Sequence, residues 1–368
     1  MTRETLEANK SVFQSRLKDY KTLIDDDIAA YAKRVSARTL QDYGKYSRVA
    51  SDAYFDILAR GGKRIRGALV LLGYEMSGGK NRDLALEAAR AIEMMHAYIL
   101  IIDDIQDRSS IRRGGPAAHK ILEQYHRDKY LAGEAEHFGV AVALNSALGG
   151  AHAAQMILAT LDCDEEIRTK VLGIMNRTML VTAHGQTNDI VNELIADVDE
   201  QAVERVLEWK TAHYTFLNPL HVGMVLAGAD CHDTDAVTDY AMFAGKAFQI
   251  TDDILGTFGA EQESGKSPMD DIREGKRTLL TVYALEHAGQ ADQNFLIQTL
   301  GNQHITPAEF ERCKHILQDS GALDYARKQA EHNATKAIES LTSHATRWSE
   351  EGVAFLSGLA QYLLTRTT

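Results

Sequence analysis

Proline is scarce. Four stand in 368 residues, at 116, 219, 268 and 307, so long stretches carry nothing that would break a helix. Alternating β-branched runs between Gly or Asn turns are nearly absent, which excludes a fold built on sheets. The cysteines are three, Cys163, Cys231 and Cys313. Their odd number and scattered spacing exclude a disulfide framework and a zinc site. They suit a reducing cytoplasm, as small apolar fillers. Positive charge is short as well: 40 Lys and Arg against 52 Asp and Glu give a net charge of −12. That balance excludes a general nucleic-acid binder. No apolar run suggests an integral membrane segment. The closest, Phe138 to Leu161, contains Asn145, Ser146, His152 and Gln155 and reads as a buried core helix. The opening Thr2-Arg3-Glu4-Thr5 leads into a charged amphipathic segment, so no signal peptide is expected.

What is present favours helix: Ala, Leu, Met, Glu, Lys and Arg dominate. With no break in composition, residues 1–368 read as a single all-α domain. Over residues 5–35, Val12, Leu17, Tyr20, Ile24, Ile28 and Tyr31 share roughly one helical face. Asp25-Asp26-Asp27 within that stretch reads as a helix start or solvated face, because no second motif or basic cluster accompanies it. Further helices are expected over 83–107, 134–161, 164–195, 199–228 and 234–256, the 134–161 and 164–195 helices being buried. Residues 259–277 form a polar loop, and amphipathic helices fill the rest.

Two acidic motifs carry the chemistry. The first is Asp103-Asp104-Ile-Gln-Asp107, followed by Arg112-Arg113; the second is Gln249-Ile-Thr-Asp252-Asp253, ending at Gly256. Both leave apolar helical runs, where a carboxylate is costly unless a cation pairs with it. Tyr98 to Ile102, leading into the first motif, reads as buried. On a helix Asp103 and Asp107 share a face about 6 Å apart, while Asp104 is turned about 100° away as a secondary or alternate ligand. Oxygen ligands without His or Cys favour Mg²⁺. Two such clusters, with Arg and Lys near both, suggest a cage for a Mg²⁺–diphosphate. Gln249 can hydrogen-bond a carboxylate, a metal-bound water or a phosphate oxygen. Lys63 and Arg66 follow the Gly61-Gly62 pair, whose backbone N–H groups would add to an anion site. His96 lies two turns before Asp103 on the same face. Lys210-Thr211 and Lys266 carry little alone.

Together these residues resemble the trans-isoprenyl diphosphate synthases, the polyprenyl synthetase family. Gly61-Gly62-Lys63-Arg64-x-Arg66, Asp103-Asp104-x-x-Asp107 with Arg112-Arg113, Lys210-Thr211, and Phe248-Gln249-x-x-Asp252-Asp253 appear in the family's order. Gly265-Lys266 and Asp271-Ile272-Arg273-Glu274-Gly275-Lys276-Arg277-Thr278 also match. The resemblance implies an isoprenoid synthase-type helical bundle around a central cavity, usually a homodimer. It implies Mg²⁺ as cofactor, three ions per active site, held by Asp103 and Asp107 from one wall and Asp252 from the other. Arg112, Lys210, Thr211, Gln249, Lys266 and Lys276 would hold the allylic diphosphate. Gly62, Lys63, Arg66, His96 and Arg113 would hold isopentenyl diphosphate. Gln186 and Asp189, in Gly185-Gln186-x-x-Asp189, resemble residues near the reaction centre. The implied reaction is a prenyl transfer. The allylic C–O bond ionises, the isopentenyl double bond attacks, and released diphosphate takes the proton. Mg²⁺ and cations stabilise the charge while a dry apolar cavity excludes water.

Two departures from the family stand out. Gly256 occupies the place of a third Asp, which puts direct ligation by Asp253 in doubt. Gly67 occupies the place of a proline, with little expected effect on chemistry. Tyr98, five residues or about 7.5 Å before Asp103, resembles the floor that stops chain growth in short-chain enzymes. With the uninterrupted first motif, it resembles geranylgeranyl diphosphate (C20) synthases of the archaeal type. Farnesyl diphosphate (C15) or a longer polyprenyl product is the alternative. A class I terpene cyclase would not need Lys63, Arg66 and Arg113, and a silent partner subunit would not keep both motifs.

Overall fold

Helix follows helix because so little interrupts it. The computed structural model describes residues 3–259 and 267–365. The helices run Arg3–Tyr43 (α1), Lys45–Ala59 (α2), Ile65–Met76 (α3), Arg82–Gln106 (α4), Ala118–Asp128 (α5), Ala135–Ala159 (α6), Glu165–Leu194 (α7) and Glu200–Val206 (α8). A π-helix, Leu207–Leu217, leads into Asn218–Leu226 (α9) and Cys231–Phe258 (α10). Then come Asp270–Glu274 (α11), Leu279–His287 (α12), Gln290–Thr299 (α13), Pro307–Asp319 (α14), Ala322–Ser343 (α15) and Glu350–Thr365 (α16). Among the described residues, strand is confined to a hairpin after α4. There Ile111–Arg112 (β1) pairs antiparallel with Gly115–Pro116 (β2), Ile111 opposite Pro116 and Arg112 opposite Gly115. No helix among the described residues is long and apolar enough to cross a membrane.

The chain divides into two compact units. In the first, Arg16–Gly173 with Val222–Gly228, α4 packs against α2, α3 and α6, and α5 against α6. The Asn81 side chain caps α4, accepting from the Leu84 N–H at 3.3 Å. Ile92, Met94, Met95 and Ile101 then turn into the core. The run before the first acidic motif is less covered than its sequence suggests: Ile101 is fully buried, whereas Tyr98, Ile99, Leu100 and Ile102 are half-buried.

The helix α6 is not the buried helix its hydropathy suggests. It buries small residues, Gly139, Ala143, Ala147, Gly150, Ala151 and Ala154. On its other side it exposes Leu144, Leu148, His152 and Met156, each four residues from the last. The small face serves close approach. A Cβ on Gly150 would lie 2.1 Å from the Tyr54 ring, so α2 reaches α6 only over a glycine. The helix α7 is likewise partly open, with Leu180 65% exposed.

The Asp25-Asp26-Asp27 reading also needs correction. The triplet lies in the middle of α1, and cations do accompany it. Asp25 accepts from Arg64 Nε at 2.8 Å and pairs with Lys21. Asp27 takes both oxygens to Arg90 Nη1, at 2.7 and 2.8 Å. These arginines come from segments 39 and 63 residues away, which is why no local pattern announces them.

In the second unit, the described parts of 1–15, 174–221 and 229–368, α10 packs against the π-helix, α15 and α16. Asp230 caps α10, accepting from the Asp233 N–H at 3.0 Å, so His232-Asp233 begins a helix and Asp233 pairs with Arg347. Ile250 and Ile254 enter a core with Leu279, Leu280, Phe310, Leu317 and Leu323. Each such burial contributes about 1.5–3 kcal/mol. Fixing those two isoleucines inward leaves Asp252 and Asp253 half-buried on the remaining face of α10.

Candidate active site

In the first unit the acidic motif closes α4. Asp107 is its C-cap, with its N–H bonded to the Asp103 carbonyl at 2.8 Å, so the helical spacing of Asp103 and Asp107 holds to the end. Asp104 points the other way and is fully buried. Arg112, from β1, reaches both sides. Its Nε donates to Asp104 at 2.7 Å, its Nη2 pairs with Asp104 as well, and Nη2 lies 3.2 Å from Asp103. Burial works against the Arg112 charge, but Asp104 and Asp103 more than offset it and hold its pKa above the ordinary value. Asp104 therefore anchors Arg112 against the acidic face.

Lys63, Arg64 and, at the start of α3, Arg66 stand at the turn between α2 and α3, and Arg113 reaches it from the hairpin. Gly62, at φ +115°, takes a backbone conformation that side chains rarely adopt, and Lys63 beside it is exposed. Arg64 and Arg113 are non-glycine residues at positive φ, 53° and 52°. Such strain persists only where surroundings over-determine it. For Arg64 they do: Asp25, the Leu58 carbonyl at 2.7 Å and buried Glu93 at 3.1 Å engage its three guanidinium nitrogens. Glu93 also accepts from the Gly67 N–H at 2.8 Å. A proline at 67 could not make that bond, so the departure at Gly67 has a structural role that its sequence did not suggest. Arg66 Nη1 lies 3.3 Å from His96 Nε2. Burial, then the charges of Arg66, Arg113, Arg112 and Arg64, hold His96 well below the usual histidine range. The ring is neutral at pH 7 and accepts from Arg66. Arg113 is pushed down to about 10 by burial, with Glu93 acting the other way, and stays charged at neutral pH. Tyr98 stands half-buried on the same helix, two residues past His96.

In the second unit the π-helix presents Lys210 and Thr211. Glycines on two neighbours let it come to backbone contact. A Cβ on Gly185 of α7 would lie 2.5 Å from the Lys210 nitrogen, and one on Gly245 of α10 would lie 2.4 Å from the Ala212 Cα. One turn after Gly185, Asp189 accepts from Lys210 Nζ at 2.6 Å. Gln186 lies beside Gly185 on α7, half-buried. Thr211 donates to Gln249 Oε1 at 2.8 Å, and Gln249 Nε2 donates to Asp253 at 2.8 Å. Burial and the like charge of Asp271 raise the Asp253 carboxyl well above its usual range, against the Gln249 bond. Lys276 pairs with Glu274 at 2.8 Å and lies 3.7 Å from Asp271. Lys266 lies outside the described residues. Gly256 stands four residues past Asp252, as Asp107 stands past Asp103. The room a side chain would need there is taken, because a Cβ on Gly256 would meet Asp271 Oδ2 at 2.7 Å.

Among the described residues, no three His, Cys, Asp or Glu side chains gather closely enough to hold a metal ion unaided. Oxygen-only donors in ones and twos are what Mg²⁺ takes when water and substrate phosphate complete its shell. The raised Asp253 carboxyl also fits a site that expects a cation to arrive. Within each unit the oxygen donors, Asp103 and Asp107 in the first and Asp252 in the second, therefore suit Mg²⁺ held together with diphosphate. Sequence reading missed Arg60 and Glu93, and it placed Asp271 in a matching segment without giving it a role. Glu93 left a signal, a lone acid in an apolar stretch, three residues before His96.

The polyprenyl synthetase family model matches residues 47–317. The geranylgeranyl diphosphate synthase of Sulfolobus acidocaldarius is 32% identical, over 86% of this chain and 90% of that protein. The geranylfarnesyl diphosphate synthase of Aeropyrum pernix is 31% identical over 86% of this chain and 94% of its own length. A crystal structure of geranylgeranyl pyrophosphate synthase from Corynebacterium glutamicum, complexed with isoprenyl diphosphate and magnesium, has TM-score 0.89 and 29% identity. It covers 95% of this chain, which covers 99% of it. With its helices, its two acidic motifs and a family match across most of its length, this chain is a prenyltransferase of the polyprenyl synthetase family, with the all-helical fold of that family.

Proposed function

We propose that this chain condenses isopentenyl diphosphate head to tail with allylic diphosphates and stops at geranylgeranyl diphosphate. The observation that carries the reading is that each acidic motif comes with its own cations. Arg112 sits against Asp103 and Asp104, with Lys63, Arg66 and Arg113 near the α2–α3 turn. In the other unit the charge of Lys276 acts on Asp253, and Thr211, next to Lys210, bonds Gln249. A reaction that uses two diphosphates needs two cation sets, and Lys63, Arg66 and Arg113 at the α2–α3 turn are the set that a cyclase would not need. Three Mg²⁺ per active site, with Asp103, Asp107 and Asp252 as direct ligands, would supply charge stabilisation at the leaving diphosphate.

The protein's own groups have separable tasks in this reading. Lys210, Arg112, Lys266 and Lys276 take up charge on the allylic diphosphate. Thr211 and Asp253 fix the rotamer of Gln249 so that its amide keeps one orientation. Lys63, Arg66, Arg113 and neutral His96 hold isopentenyl diphosphate on the glycine turn. Half-covered Tyr98, Ile99, Leu100 and Ile102 supply an apolar surface along α4 that keeps water away. No side chain acts as nucleophile, since the isopentenyl double bond does.

The C20 product rests on Tyr98 and on relatives named for geranylgeranyl diphosphate; neither favours C15. The chain works as one domain, supported by a family match that runs through both units. It works as a homodimer, supported by the exposed Leu144, Leu148 and Met156 of α6. It resides in the cytoplasm, supported by cysteines that carry no disulfide. The test gives the purified enzyme Mg²⁺, labelled isopentenyl diphosphate and, separately, C5, C10, C15 and C20 primers. Elongation ending at C20 is expected, and Tyr98→Ala should shift the products longer. No elongation from any primer by folded protein would sink the reading; an unchanged distribution in Tyr98→Ala would sink the floor assignment.

A further inference from the structure

The hairpin carrying Arg112 and Arg113 is two residues per strand, and a ribbon that short does not hold its shape unaided. Two guanidinium groups, running in opposite directions, fasten it to the end of α2. Arg60 follows the last residue of α2. Its Nη1 donates to the Arg112 carbonyl at 2.9 Å and to the Pro116 carbonyl at 2.7 Å, one acceptor on each strand. Its Nη2 pairs with Asp56, one turn back on α2, which orients the fork. Arg113 returns the connection, donating to the Ile57 carbonyl at 3.1 Å.

Two glycines leave room for this exchange. A Cβ on Gly115 would lie 2.7 Å from Arg60 Nη1 and 2.8 Å from its Cζ, so a side chain there and Arg60 cannot share the space. A Cβ on Gly62 would lie 3.1 Å from Arg113 Nη2. The Arg60 side chain is 17% exposed, and both terminal nitrogens are engaged by protein oxygen.

We propose that Arg60 is a positioning residue of the diphosphate site: it clips both strands of the hairpin and thereby sets Arg112 and Arg113 in register with the Gly61-Gly62-Lys63 turn. This rests on the reading that those cations hold diphosphate. A lysine at 60 has one nitrogen and no fork, so it cannot engage the two carbonyls from one nitrogen and Asp56 from another.

The test compares wild type with Arg60→Lys, Arg60→Ala, Gly115→Ala and the Arg60→Ala/Gly115→Ala double variant. Steady-state kinetics with isopentenyl diphosphate are run beside calorimetric binding of inorganic diphosphate in Mg²⁺. Misplaced cations should raise KM about tenfold to a hundredfold. The effect on kcat should be smaller and the thermal midpoint nearly unmoved. Arg60→Lys should not restore KM, whereas millimolar guanidinium added to Arg60→Ala should, against a sodium chloride control. Gly115→Ala should reproduce the defect without removing any charge, and should add nothing to Arg60→Ala, because the clash partner is gone. An unchanged KM in Arg60→Ala, or a full added effect of Gly115→Ala in that background, would overturn the proposal. A wild type that neither binds diphosphate nor elongates a primer would overturn the functional reading beneath it, an outcome the variants cannot mimic.

Discussion

Asp104 shows how a motif residue can serve without facing the substrate. Its carboxylate is fully buried and its partner Arg112 nearly so, and an uncompensated charge in such a place is expensive. Asp104→Ala should therefore lower stability by about 3 kcal/mol. Urea unfolding monitored by circular dichroism would measure it, and a loss under about 1 kcal/mol would mean that the pair behaves as a surface one. His96 gives a second residue-scale expectation. Its folded pKa lies well below the usual 6.5, so the unfolded chain binds its proton first as pH falls. The stability His96 contributes is complete above pH 6.5 and is lost as pH drops from there towards the folded pKa. The loss can reach about 1.4 kcal/mol per pH unit. Relative to His96→Gln, wild type should weaken between pH 7 and 5; parallel curves would show a normal pKa. Both acidic motifs and their cations were legible as residues, because a carboxylate in an apolar run has few reasons to be there. Partners across 39 or 63 residues, such as Arg64 with Asp25 and Arg90 with Asp27, were not, since pairing at that range is decided by packing.

At the scale of elements, the π-helix is the feature no periodicity announced. Its residues have ordinary helix propensities, and the wider turn survives because Gly185 and Gly245 let α7 and α10 press against it. Such segments cost more than α-helix and concentrate at functional sites. Here the altered register aims Lys210 at Asp189 and Thr211 at Gln249 simultaneously. Deleting one residue after Thr211, for example His213, would remove the residue that the wider turn accommodates, let the segment relax to α-helix and cost Lys210 and Thr211 their joint register. We expect helical content by circular dichroism to be retained and kcat to fall at least about a hundredfold. Unchanged kcat would mean that the π register is incidental. The helix α6 teaches the opposite lesson. Its mean hydropathy was read as burial, yet apart from Leu158 the buried side holds small residues, while Leu144, Leu148 and Met156 face out. Hydropathy summed over a helix does not say which face supplies it, and close approach selects for small volume rather than for hydrophobicity.

At the scale of the molecule, a net charge of −12 must accommodate anionic substrates, so binding depends on local cation sets rather than on overall attraction. The same surface carries an apolar ridge along α6, where Leu144 is 43%, Leu148 53% and Met156 68% exposed. Leucine and methionine at that spacing gain nothing from water, and their large exposure on one helix face fits a surface covered by a second copy. The dimer proposed above should therefore depend on this ridge. Light scattering on the purified protein should give twice the monomer mass at micromolar concentration, and Leu148→Glu with Met156→Glu should give the monomer mass. Neither side chain belongs to the small, buried face, so secondary structure should survive the change. A wild type that runs as a monomer, or a double variant that remains a dimer, would remove α6 as the interface and leave the exposed ridge without a partner.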